Sequence, residues 1–327
     1  PTAEEAETQV GLGHDGMWFY PIDQANAESV PFGYTLSSTN GLLVVNHEYG
    51  TNGHVFGFER DENDELILSD SGEPISKSPQ SLDDVRLSQS IHGVTVAEIS
   101  YGTVFRGGFQ FTREWSLVRG SAFNRRITVN TAVEFSGPVA GTEYLENMAE
   151  NMPAGTVNNC GSGPTPWGTY ITCEENFNGY FGANSEFTPT EEQDRYGFSD
   201  SGFGYQWHVY DERFDLNNEM YANEHHRFGW CVEIDPFNPD AKPVKRTAMG
   251  RVKHEAVAIK ELTDGRIAAY MGDDQRFDYC YKYESNNRWK QAIEDGESPL
   301  DDGKLYVAKF NDDGTGEWIE LTIENPA

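Results

Sequence analysis

Short apolar runs recur along the chain, each with a glycine at or just before it and carboxylates at its end. Gly41-Leu-Leu-Val-Val-Asn-His-Glu48 is the first, and His92-Gly-Val-Thr-Val-Ala-Glu98 the second. Gly168-Thr-Tyr-Ile-Thr-Cys-Glu174-Glu175, Gly229-Trp-Cys-Val-Glu233-Ile-Asp235 and Gly265-Arg-Ile-Ala-Ala-Tyr-Met-Gly-Asp273-Asp274 follow. A further run, Lys304–Phe310, leads into the turn Asn311-Asp-Asp-Gly314. Val, Ile, Tyr and Thr dominate these runs, which predicts strands, and Gly, Asn, Asp and Pro between them predict turns. Helical periodicity is scarce, with Leu82–Ile91 and Trp289–Ile293 the best short candidates. The pattern predicts an all-β fold. The run starts are spaced roughly 35 to 75 residues apart, against ~40–50 for a propeller blade. The expectation is one β-propeller domain over residues 1–327 with loop and short helical insertions, and a β-sandwich is the alternative. A propeller gathers carboxylates from distant positions around its central channel, whereas a sandwich scatters them.

Charge narrows the function classes. The chain has 24 Lys+Arg against 54 Asp+Glu, a formal net charge of −30, which repels phosphate backbones and argues against nucleic-acid partners. No apolar run approaches the ~20 residues that span a bilayer. Aromatics make up 13% of the residues and are evenly spread, so disorder is not expected. The cysteines Cys160, Cys173, Cys231 and Cys280 are too few for a disulfide scaffold at this length and form no C-x-x-C. No export signal is visible at Pro1-Thr-Ala-Glu-Glu5.

Gathering Glu48, Glu174, Glu175, Glu233, Glu255, Asp273 and Asp274 in one place would raise their pKa values unless cations joined them. Hard cations such as Ca²⁺ take carboxylate and carbonyl oxygens. The competing reading of each acid is a solvated turn residue. Cys160 lies in Asn158-Asn-Cys-Gly-Ser-Gly-Pro-Thr-Pro-Trp167, where glycines and prolines fix the backbone. A thiolate there could ligate Fe, Zn or Cu; the alternative is a small buried apolar residue. The other cysteines sit in or beside strand-like runs and are expected to pack. His47-Glu48 and His254-Glu255 are dipeptides on strands, whose neighbouring side chains face opposite ways. The glutamate of each pair is expected to face the site. Nucleotide-binding and nucleophile-elbow motifs are absent. Asp70-Ser-Gly72, Asp200-Ser-Gly202, Arg60–Glu65 and Asn311–Gly316 are expected to be turns.

At these motifs the chain resembles the PhoX-type alkaline phosphatase family. The resemblance begins at Gln9-Val-Gly-Leu-Gly-His-Asp-Gly-Met17. It continues through Gly41–Tyr49, His92–Ile99, Asn124-Arg-Arg-Ile-Thr128, Ser136-Gly-Pro-Val-Ala-Gly141 and the long block Asn158–Phe177. It ends with Gly229–Pro236, Gly250-Arg-Val-Lys-His-Glu-Ala-Val257, Tyr270–Asp274 and Leu305–Trp318. It implies a propeller of about six blades, a mixed Fe³⁺ and Ca²⁺ site, and hydrolysis of phosphate monoesters with release of inorganic phosphate. It also implies export to the periplasm or beyond the cell, usually by the twin-arginine route, and a monomer is expected. Position by position, Cys160 is similar to the iron-ligating cysteine, and Glu175, Glu233 and Glu255 to metal-bridging carboxylates. Lys253 takes the place of a phosphate-contacting cation that is Arg in other members. Arg251 is a second candidate to hold phosphoryl oxygens. The family continues past Glu317-Trp318 with further blades and another acidic ligand, so a C-terminal part is expected to be missing. Two other readings remain: a calcium-dependent propeller lactonase or esterase, and a non-catalytic calcium-stabilised binding propeller.

Overall fold

In the first sheet, β1 (His14–Pro21), β2 (Asn40–His47), β3 (Gly93–Phe105) and β4 (Phe111–Leu117) lie side by side and antiparallel. A short β5 (Arg125–Ile127) also pairs with β3. Strand β2 is the predicted Gly41 run. It is covered by strands on both edges and buried along most of its length. The computed structural model describes residues 1–22, 39–105, 107, 111–149 and 153–322.

The second sheet uses β6 (Glu134–Ser136), β7 (Asn159–Pro164), β8 (Tyr170–Glu174), β9 (Cys231–Ile234) and β10 (Val244–Arg246), in the order β6-β10-β9-β8-β7. Only the β6–β10 pair in it is parallel. The third is an antiparallel meander of β11 (His254–Glu261), β12 (Ile267–Asp273), β13 (Cys280–Ser285), β14 (Gly303–Phe310) and β15 (Gly316–Glu320). Helices are short: α1 (Ala3–Ala6), α2 (Asn52–Phe56), α3 (Leu82–Ser90), α4 (Glu191–Tyr196) and α5 (Trp289–Glu294). Both predicted helices form. Ser81 starts α3 by accepting the Asp84 N–H, which satisfies one of its orphan donors. No helix among the described residues is long and apolar enough to cross a membrane.

Sheet two lies between the other two. Leu42, Val44, Val94, Val96 and Ile127 of sheet one meet Tyr170 and Ile234 of sheet two in one core. Ile171, Cys173 and Cys231 meet Val257, Ile267, Ala269, Met271 and Tyr283 of sheet three in another. A third core, of Phe177, Tyr180, Phe181, Trp207, Phe214 and Phe228, fills the insertion between β8 and β9. Burying side chains of this size stabilises by about 1.5–3 kcal/mol each. The fold is thus mostly β with little helix. Its three sheets are open ladders, none closed on itself among the described residues.

Candidate metal centre

One edge strand from each of the three sheets comes together: β7 packs between β1 and β11. Each of the three carries a β-bulge or register shift near its start, between His14 and Met17, between Asn159 and Ser162, and between His254 and Val257. The displaced residues are Asp15-Gly16, Cys160-Gly161 and Glu255-Ala256. A bulge breaks the two-residue alternation and re-aims a side chain. The small residues let the backbones approach. A Cβ on Gly16 would lie 2.9 Å from the Cys160 carbonyl oxygen. One on Gly161 would lie 2.6 Å from the Glu255 carbonyl oxygen.

The result is two groups of donors sharing one sulfur. Asp15, Glu48 and Cys160 each place a ligand atom within 4.8 Å of the others, and Cys160, Glu175 and Glu255 do the same. Such spans suit donors around one ion with bonds of ~2.0–2.6 Å. The Cys160 Sγ donates to Asp15 at 3.0 Å. Glu48 follows β2 and Glu175 follows β8. Asn158, in left-handed backbone at φ 51°, ties their segments together. Its Nδ2 donates to the Glu48 carbonyl at 3.3 Å, and its own carbonyl accepts the Glu175 N–H at 3.0 Å. His47 and His254 turn inward and are fully buried, leaving Glu48 and Glu255 on the site side.

The electrostatics fit a cation. Burial pushes the Glu175 carboxyl up to about 7; the hydrogen bond to Cys160 is next in size and opposes it, and the Glu255, Glu48 and Asp274 charges add smaller upward pushes. Burial raises Glu48 too, helped by Asp15 and Glu255. Burial, the hydrogen bond to Asp15 and the surrounding acids push the Cys160 thiol far above its ordinary range. Acids and a thiol crowded this closely, with their protonated forms favoured, are a donor set that a metal ion would relieve.

Lys253 sits beside this cluster. Its Nζ donates to Gln275 at 2.7 Å, and its carbonyl accepts the Asp274 N–H at 3.0 Å. Burial lowers its pKa against the pull of Asp273, Glu175 and Asp274. Asp273, at the end of β12, accepts the Gln275 N–H at 3.1 Å and faces Arg195 at 3.6 Å. Arg195 also grips Asp278 through both terminal nitrogens. Neither Asp15 nor Arg195 was legible as a site residue, since neither closes an apolar run.

Of the expected metal ligands, Asp273 and Asp274 flank the cluster but belong to neither donor group. Three other expected site residues, Glu174, Glu233 and Arg251, lie farther off. Glu174 points away from Glu175, as neighbours at a strand end do. It pairs with Lys245 at 2.8 Å and accepts the Gly229 and Trp230 N–H groups. Glu233 is on β9, which β8 separates from the inner edge strand β7. Trp167 Nε1, Arg246 Nε and Thr169 Oγ1 hold it. Arg251 is spent on the Phe228 and His225 carbonyls and on Glu192, with its guanidinium over Tyr196 and Phe177. Cys173 and Cys231 pack in the core, and Cys280 is exposed.

Residues 1–327 match the family model described as alkaline phosphatase PhoX. The chain belongs to the PhoX family. A solved structure of Pseudomonas fluorescens PhoX, in complex with vanadate, a transition state analogue, is 37% identical and superposes with a TM-score of 0.79. That match covers 98% of this chain and 51% of the other, so the chain spans about half the length of that PhoX. No curated protein matches the chain.

Proposed function

We propose that the chain carries a metal-dependent centre for hydrolysis of phosphate monoesters to inorganic phosphate. The observation that carries this reading is Cys160 shared between two acidic donor groups. Membership of the PhoX family and the vanadate complex of its Pseudomonas relative support it. The thiolate of Cys160 selects a transition metal over Ca²⁺, which the resemblance to PhoX makes Fe³⁺, while Glu48, Glu175, Glu255 and Asp15 offer the hard oxygens that suit Ca²⁺. Such ions supply Lewis-acid polarisation and charge neutralisation at the phosphoryl group. The residues do the remaining work. Asn158 holds the segments of Glu48 and Glu175 in register. Lys253 brings a point charge to the phosphoryl oxygens, without the two-pronged grip of an arginine. Asp273, Asp274 and Gln275 hold Lys253 in place.

The three ladders are read as blades of a β-propeller of about six blades in a single domain. On its resemblance to the PhoX family we read the protein as an exported monomer acting in the periplasm or outside the cell on small phosphate esters.

Turnover of p-nitrophenyl phosphate and elemental analysis of the purified protein test this. Cys160→Ala is expected to lose bound iron and at least about two orders of magnitude in kcat/KM. Full activity with calcium alone would favour a calcium esterase or lactonase instead. Calcium-dependent stabilisation without turnover would favour a binding propeller.

A further inference from the structure

The loop joining β12 to β13, residues 274–279, is tied to Lys253 and carries an aromatic ring into solvent. Lys253 Nζ binds the Gln275 side chain, the Gln275 N–H returns to Asp273, and the Asp278 N–H closes on the Gln275 carbonyl at 3.1 Å. The Asp278 carboxylate is fixed by Arg195. Between these anchors Phe277 is 98% exposed, with φ at 70°. Single exposed apolar residues are ordinary. This one also holds a backbone conformation that bulky residues avoid and that Gly or Asn would adopt at lower cost. Among the described residues nothing repays that cost, since Phe277 is 98% exposed. Strain of this kind clusters at ligand clamps. Successive Cα atoms are ~3.8 Å apart, so the Phe277 backbone lies within about 7.6 Å of that of Gln275, the residue holding Lys253.

We propose that Phe277 is a specificity residue, a platform on which the planar leaving group of an aryl or nucleoside phosphate stacks while its phosphoryl group faces Lys253. This rests on the phosphatase reading above. An aromatic face is sequence-tolerant and accepts any flat ring. The platform therefore separates flat leaving groups from aliphatic ones and does not select one base.

The test compares kcat/KM for p-nitrophenyl phosphate and adenosine 5′-monophosphate with that for glycerol 3-phosphate, in the metal-loaded full chain. Phe277→Ala is expected to lower the aromatic-to-aliphatic ratio about fivefold, and Phe277→Tyr to keep it. Phe277→Asn is expected to lower the ratio while raising the thermal midpoint, because Asn tolerates the left-handed backbone. A ratio unchanged in Phe277→Ala overturns the proposal. So does a lower midpoint in Phe277→Asn, which would make Phe277 a packing residue. Wild-type protein that hydrolyses none of the three esters overturns the phosphatase reading itself, and this one with it.

Discussion

Lys245 reaches Glu174 with both side chains fully enclosed, its ammonium 4.2 Å from the centre of the Phe228 ring. Removing one partner strands the other charge, so Lys245→Met is expected to cost about 3–5 kcal/mol in urea unfolding. Glu175 behaves oppositely. Its carboxyl is raised from 4.5 to about 7, so between these values the folded metal-free protein holds more protons than the unfolded chain. Stability of the chelator-treated protein should therefore fall as pH rises from 4.5 to 7. Glu175→Gln should flatten that fall in thermal melts, and it should weaken metal retention. The alternation rule that sets Glu48 and Glu255 apart from their histidines also sets Glu174 apart from Glu175. The separation was readable in the sequence, but repetition of acids after apolar runs pointed the other way. Glu233 and Arg251 were not readable, because Trp167 and Glu192, which help hold them, lie 66 and 59 residues away in sequence.

At the scale of elements, β2, β3, β8, β9, β12 and β14 follow from their apolar runs, and α3 and α5 from their spacing. Strands β4 and β11 do not. They are largely exposed, β4 at a sheet edge and β11 beside the cluster, so few positions carry a hydrophobic signal. The bulges on β1, β7 and β11 are equally silent, since a register shift is a relation between strands. They are nevertheless what places Asp15, Cys160 and Glu255. Gly161→Ala puts a methyl group 2.6 Å from both the Glu255 carbonyl and the Ala256 Cβ. The backbone must move, at a cost of about 1–3 kcal/mol. Differential scanning calorimetry should show that loss, and elemental analysis a larger loss of metal than destabilisation alone explains.

For the whole molecule, a charge of −30 works against compaction, and cations held at the proposed centre would offset it locally. Removing metal with a chelator should lower the thermal midpoint. Ligand present at ~1,000 times its dissociation constant contributes about 4 kcal/mol. Added monovalent salt should recover part of the drop by screening exposed charges, but not the part that belongs to the enclosed donors. The nested glycines link this behaviour to folding order. Gly16 leans on the backbone of Cys160, and Gly161 on that of Glu255. An intermediate with only two ladders docked would present an ion with a half-built cage, one wall absent and the other unsupported. Tight capture of metal at the proposed centre would then require all three of these ladders to be docked, because each supplies one of the bulged segments that carry Asp15, Cys160 and Glu255.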